Sequence, residues 1–411
     1  MADSDIYKVI GKNMSVFLES YIPDKLPYRE EEIKKIERIL YPIIFNNPTS
    51  NIIVMGKTGT GKTVVVKKVC SNIQEKSKKE GRALNVQYIN CSEIDNIMSL
   101  FTSLSSKLEG NTGIHIPPSG WAFDKVIEKF KELLKKRNES LIIILDEIDK
   151  MIHRIGDSPL YTLINLSNES PNYRVNIIGI TNDVNLPSII VDERVKSRLN
   201  DEKITFAPYN APQLVTILTD RAKIAFEEGS LDENVISVCA AIGAHEHGDA
   251  RRALNLLRMA TQIAERNGKS KVEVEDVYTA KKTIESDYIE QILNGLPLHQ
   301  KLIMYSIVKV MEKTNSKIVK TPDVIEFYIS TTLKMDMTPL SPRRINDLIN
   351  DLSTLGLINT QLRYYGRKGR IKEIDLWVPK PNVINMVETD ETLKNYIASR
   401  SNASFQQKTL V

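Results

Sequence analysis

Gly56-Lys57-Thr58-Gly59-Thr60-Gly61-Lys62-Thr63 fits the pattern G-x-x-x-x-G-K-[ST] at every position. Residues of these types at this spacing bind phosphate. The glycines let backbone N–H groups converge on phosphate oxygens, and a helix starting at the loop's end adds its positive N-terminal pole. Lys62 is expected to reach the β- and γ-phosphates of bound ATP, or the β-phosphate of ADP, and Thr63 to ligate Mg2+. Further along, the apolar run 141–145 ends in Asp146-Glu147. Asp146 is expected to hold Mg2+, and Glu147 to polarise an attacking water as general base. A glutamate beside the aspartate points to hydrolysis as well as binding. Asn182 follows the strand expected over 175–181. It is placed either to meet the γ-phosphate or to form a turn. Arg251, in Gly248-Asp249-Ala250-Arg251-Arg252, opens a helix. It either reaches back to the phosphates or lies in solvent. Arg194 and Arg198 are candidates for a finger offered to a neighbouring subunit's nucleotide, or for ion pairs within the chain.

Strands and helices must hold these groups in place. Ile33, Ile36, Ile39 and Leu40 recur at helical spacing, which predicts a helix over 28–44. Strands are expected over 51–55, 85–90, 141–145, 175–181 and 203–206, with helices over 64–74 and 124–137. Alternation of this kind predicts an α/β fold, a doubly wound parallel sheet with its ligand at the strands' C-terminal ends. The 85–90 strand is expected between the phosphate-loop strand and the acidic strand. After Pro208 the pattern turns helical, over 213–227, 232–243, 250–267 and 274–285.

From about Gly295, helices fit 298–313, 321–333 and 342–355, followed by strands over 357–365 and 370–378 around a turn at 366–369. That is a winged-helix pattern. The domains expected are therefore 1–207, 208–294 and 295–411. Arg367, Lys368, Arg370 and Lys372 crowd the hairpin, and Arg343 and Arg344 occupy the first turn of a helix. A local excess of cations attracts phosphate, and a helix start in the major groove reaches base edges.

A net charge of +4 over 411 residues excludes a histone-like polycation and leaves a local basic face possible. Three scattered cysteines, Cys70, Cys91 and Cys239, support neither a disulfide framework nor a zinc site. The charged N-terminal residues give no signal peptide, and the longest apolar runs are strand-length, so no membrane partner is expected. The expected location is cytoplasmic, associated with the nucleoid.

With these motifs in place, the chain resembles the AAA+ initiators of archaeal DNA replication, the origin-recognition/cell-division-control proteins, from about Tyr28 to Val378. The stretch Leu26-Pro27-Tyr28-Arg29-Glu30-Glu31-Glu32 looks like that family's signature near the adenine pocket, which implies that Tyr28 and Arg29 contribute to nucleotide binding. The resemblance puts Asn182 at sensor 1 and Arg251 at sensor 2. It favours Arg198, in Val195-Lys196-Ser197-Arg198-Leu199, as the finger. Residues 94–130 look like the initiator's insertion, which in the family grips DNA. Residues 341–357 and 364–372 look like its recognition helix and wing. The implied protein is an AAA+ P-loop ATPase domain with a helical lid and a C-terminal winged helix. Its implied function is ATP-dependent recognition of double-stranded origin DNA, with slow, switch-like hydrolysis. The implied partners are other initiator subunits and the replicative helicase. The alternatives are a clamp-loader-like ATPase and a transcription regulator that uses nucleotide as a structural ligand.

Overall fold

The computed structural model describes residues 10–166, 173–199, 202–365 and 370–394. The chain forms two compact units, Met1–Ala280 and Lys281–Val411. The first begins with α1 (Glu30–Leu40), β1 (Ile52–Gly56), α2 (Lys62–Lys79) and β2 (Leu84–Asn90). It continues through α3 (Ile97–Leu108), α4 (Phe123–Arg137), β3 (Ser140–Asp146), α5 (Ile148–Ile155) and α6 (Ser158–Leu166). Then come β4 (Val175–Thr181), α7 (Leu186–Ile189), α8 (Glu193–Leu199) and β5 (Glu202–Phe206). The α1 helix is shorter than its apolar spacing predicts. Pro42 has no N–H to donate, and the chain tightens into a 3-10 turn over Tyr41–Phe45.

The five strands are parallel, in the order β2-β3-β4-β1-β5. Successive side chains of β3 face opposite ways. Ile142 and Ile144 pack with Val65, Val66, Val69 and Ile36 of α2 and α1. Leu141, Ile143 and Leu145 pack with Leu100, Phe101, Phe130 and Leu163 of α3, α4 and α6. Helices therefore cover both faces, as a doubly wound sheet requires. One expectation is corrected. β2 does not lie between β1 and β3; β4 does, and β2 forms the edge. Every residue of β4 is buried, Asn176 included, whereas Asn85, Val86, Tyr88 and Asn90 of β2 are only partly buried, as an edge strand allows.

The 94–130 stretch is built into this unit. Phe101 meets Phe130 edge-on at 5.5 Å, and Ile116, on the connection between the two helices, is buried in the same cluster. Its exposed tip is Pro118–Ser119–Gly120. The helical segment contains α9 (Ala211–Ala225), α10 (Val235–His245), α11 (Ala250–Arg266) and the start of α12 (Val274–Gly295). The second unit opens within α12 because its later residues belong to the second core. Leu293 is buried there, and Ser286 and Glu290 accept hydrogen bonds from Asn382 and Asn385.

That second unit has α13 (Leu298–Thr314), β6 (Ile318–Lys320), α14 (Thr321–Lys334), α15 (Pro342–Thr354), β7 (Ile358–Tyr364), β8 (Arg370–Leu376) and α16 (Lys380–Thr389). Its antiparallel sheet runs β6-β8-β7. Three helices, a short strand and a hairpin make a winged helix, with β6 and α16 beyond the sequence expectation. Among the described residues, no helix is long and apolar enough to cross a membrane. All three cysteines are buried and free, and burial pushes the Cys70 and Cys239 thiols up to about 12.

Candidate functional site

The phosphate loop joins β1 to α2, and its geometry depends on glycine. Gly59 and Gly61 have φ of +72° and +88°, the left-handed region that side chains disfavour. A Cβ on Gly59 would also lie 1.7 Å from Asp249 Oδ1. Lys62, 6% exposed, donates to the carbonyls of Gly56 (2.7 Å) and Lys57 (2.8 Å) and to Asn182 Oδ1 (2.7 Å). The strand order explains the last contact, since β4 lies beside β1 and delivers Asn182 to the loop.

Burial, against the attraction of Asp146, lowers the Lys62 pKa from its ordinary 10.5 to about 8. Phosphate would favour the charged form. Nucleotide affinity is therefore expected to fall as pH rises beyond about 8, by up to about tenfold per pH unit; titrating a fluorescent ATP analogue from pH 7 to 10 measures it. For stability the sign is the reverse. Between about 8 and 10.5 the unfolded chain holds a proton that the folded chain has lost, so this group's contribution to folding rises with pH.

At the acidic end, Asp146 Oδ2 accepts from Thr63 Oγ1 at 2.8 Å and from the Tyr88 hydroxyl at 3.0 Å. Burial and the neighbouring Asp146 push the Tyr88 hydroxyl well above its ordinary value, so it stays a donor. Glu147 caps α5 with a left-handed φ of +56°, costly for a non-glycine, and its Oε2 accepts from Lys150 at 2.7 Å. Asp149 accepts from the Thr181 hydroxyl at 2.6 Å, tying α5 to the end of β4. One carboxylate and one hydroxyl in a phosphate cleft suit Mg2+, a hard cation that completes its shell with water and phosphate. The residues present fit the ion, which when bound would neutralise phosphate charge.

The opposite wall comes from the helical segment. Asp249 caps α11 by accepting from the N–H groups of Arg251 (2.8 Å) and Arg252 (3.2 Å). The Ala250 N–H donates to the Gly59 carbonyl at 3.1 Å, so α11 begins directly on the phosphate loop. Gly248 permits this approach, because a Cβ there would lie 2.4 Å from the Tyr209 carbonyl. Arg251 thereby lines the same cleft of about 820 Å³ as Lys62, Thr63, Asp146, Glu147 and Asn182.

In the second unit, Arg343 and Arg344 are exposed in the first turn of α15, capped by the Ser341 hydroxyl. Arg370 is exposed on β8, while Lys372 donates to Asn350 Oδ1 of α15 at 2.6 Å. Glu373, 8% exposed, accepts from Arg363 and Tyr365 and so ties the two arms of the hairpin together. Arg367 and Lys368 lie outside the described residues.

Three family models match the chain in succession. They are an ATPase domain predominantly from Archaea over 28–181, a Cdc6 AAA+ ATPase-type lid domain over 215–282, and a CDC6 C-terminal winged helix domain over 291–386. An ORC1-type DNA replication protein of Thermococcus onnurineus is 42% identical over 95% of this chain and 94% of its own length. ORC1-type DNA replication protein 1 of Archaeoglobus fulgidus is 41% identical over 94% and 92%.

The chain belongs to the ORC1-type DNA replication protein family.

The structure of Aeropyrum pernix ORC1, solved in complex with DNA, is similar with a TM-score of 0.79 and 33% identity, covering 94% of this chain and 99% of that one. The AAA+ ATPase domain, lid and winged helix expected from the sequence are thus the architecture of this ORC1-type chain.

Its predicted site residues are not all equivalent. Thr58, Gly59, Thr60, Gly61, Lys62 and Thr63 line the cleft, whereas Gly56 and Lys57 serve through the carbonyls that hold Lys62. Tyr28 and Arg29 do not line it. Tyr28, with φ of +64°, bonds Thr216 at 2.9 Å. Arg29 is buried beneath the loop, donating to the carbonyls of Thr60 and Ala207 and stacking on Tyr209 at 4.1 Å. It braces the phosphate loop from behind.

The stretch 18–27 lines the cleft in their place, with Tyr21 stacked on Arg221 at 4.4 Å. Sequence reasoning reached only its last two residues, Leu26 and Pro27, in the signature near the adenine pocket, because an irregular stretch has no period to read. Lys67 and Tyr88 were missed as well, although Lys67 stands one helical turn after Thr63. Arg194 and Arg198 both lie away from the cleft of their own chain. Arg194 is held by Asp192 at 2.8 Å and by Tyr161 at 3.0 Å. Arg198 is exposed, and its guanidinium makes no ion pair or hydrogen bond among the described residues.

Proposed function

We propose that this ORC1-type protein binds double-stranded origin DNA through its winged helix, in a manner set by whether ATP or ADP occupies the cleft. The carrying observation is the shared position of Lys62, Asn182 and Arg251 around one cleft, with α11 bonded to the phosphate loop. Loss of the γ-phosphate would remove a partner from Asn182 and Arg251 together, and the helical lid is the element that answers. Thr63 and Asp146 hold Mg2+, Glu147 activates water, and hydrolysis is slow and switch-like. Arg198, whose guanidinium has no partner among the described residues, is the finger offered to a neighbouring initiator subunit. The exposed tip of the 94–130 stretch adds a second DNA contact. The replicative helicase is the downstream partner, with the three domains acting as 1–207, 208–294 and 295–411.

For DNA, Arg343 and Arg344 read bases, while Arg367, Lys368, Arg370 and Lys372 hold phosphates. Footprinting across the protein's own genome tests the reading; uniform protection of all duplexes overturns it. Arg343→Ala is expected to cost about 1–3 kcal/mol at the preferred site and to relax specificity there. Replacing Arg367 and Lys368 by alanine is expected to weaken binding to every duplex and to lower the salt slope by about one per cation removed. A change in specificity alone would show that the wing reads sequence.

A further inference from the structure

The Asp146 carboxylate is held from more sides than the phosphate loop supplies. Its Oδ1 accepts from the Glu147 N–H at 3.0 Å, and its Oδ2 from Thr63 at 2.8 Å and from Tyr88 at 3.0 Å. The third donor comes from the edge strand. β2 and β3 pair in parallel with Tyr88 opposite Ile144, so the ring starts two residues short of Asp146 and its length carries the hydroxyl up to the acid. The ring itself is fixed, because Lys67 Nζ lies 3.6 Å from its centroid. Such a cation–π contact is attractive even where water reaches it. Lys67 is four residues after Thr63 on α2, and so stands on the same helix face. Lys67, Tyr88, Thr63 and Asp146 all line the nucleotide cleft.

We propose that Tyr88 is a positioning residue for the Mg2+ site. Its hydroxyl fixes the orientation of the Asp146 carboxylate, and Lys67, lying over its ring, fixes Tyr88. Groups that orient a ligand from behind commonly alter metal affinity by about 10–100-fold when removed. The inference rests on the reading of Thr63 and Asp146 as the Mg2+ residues.

The experiment titrates MgCl2 against a fluorescent ATP analogue bound to the full chain, and measures nucleotide affinity in EDTA alongside. Tyr88→Phe keeps the ring, and with it the Lys67 contact, while removing the hydroxyl. The expected result is an apparent Mg2+ affinity weakened about tenfold, with affinity in EDTA unchanged. In an Asp146→Asn background the same substitution should change Mg2+ affinity no further, because the group that Tyr88 orients has been altered. An unchanged Mg2+ titration in Tyr88→Phe overturns the proposal, as does an equal loss in both backgrounds, which would mark a general packing defect. If nucleotide binding by the wild-type chain did not depend on Mg2+, the metal reading itself would fall, an outcome distinguishable from the other two.

Discussion

Lys62→Ala is expected to weaken ATP binding by about a hundredfold or more while leaving the chain folded. The magnitude follows from the bonds lost. A hydrogen bond to a charged group contributes about 1.5–3 kcal/mol, and a lysine reaching two phosphates makes more than one. Each 1.4 kcal/mol is about a tenfold change in affinity. The fold is expected to survive because it works against the charge it holds. Burial drives the Lys62 pKa down to about 8, so its ammonium costs stability at neutral pH. Truncation removes that cost, although it leaves the Gly56 and Lys57 carbonyls and Asn182 without their donor. These effects oppose one another, so the melting temperature without nucleotide should move little. The rise in melting temperature that ATP gives the wild type should vanish at ATP concentrations below the weakened Kd, since ligand stabilisation grows as the logarithm of one plus concentration over Kd. Equilibrium titration decides the matter: unchanged ATP affinity removes Lys62 from the site.

The legible part of this molecule is the part written in local pattern. The phosphate loop announces itself by glycine spacing, and the buried strands β1, β3 and β4 by apolar runs that end in functional residues. Strand order was misread because the chain's sequence gives neighbours in time rather than in space. Polar residues would not have separated edge from centre, because β2 carries Asn85 and Gln87 while the central β4 buries Asn176, whose amide donates to Thr49 and Ser50. Arg29 shows a different limit. Its motif marks it as part of the nucleotide machinery, but motif spacing does not tell contact from support, and three hydrogen-bond partners from distant segments place it behind the loop. Tyr88 was invisible for a related reason. A tyrosine two residues before a strand's end is ordinary until the register with β3 shows which carboxylate it meets.

Glu147→Gln is expected to separate binding from chemistry. Glutamine keeps the shape of the side chain but accepts no proton, so turnover should fall by about 10²–10⁴-fold, the usual contribution of a general base. ATP affinity should stay close to wild type, because the phosphate contacts belong to Lys62 and the loop. Two structural costs bear on the outcome, and both are small. The left-handed backbone at Glu147 is inherited unchanged by glutamine. The ion pair with Lys150 joins partly exposed side chains, and such pairs contribute about 0–1 kcal/mol. A fall in turnover therefore reports on the chemistry rather than on the fold. With hydrolysis blocked, the variant remains in its ATP state, so its complexes with origin DNA should keep the ATP-state footprint long after the wild type has converted to that of ADP. Single-turnover hydrolysis and time-resolved footprinting on one preparation measure both. Wild-type turnover in the variant would exclude Glu147 as the base. A lost footprint change with turnover intact would instead uncouple the nucleotide cleft from the winged helix.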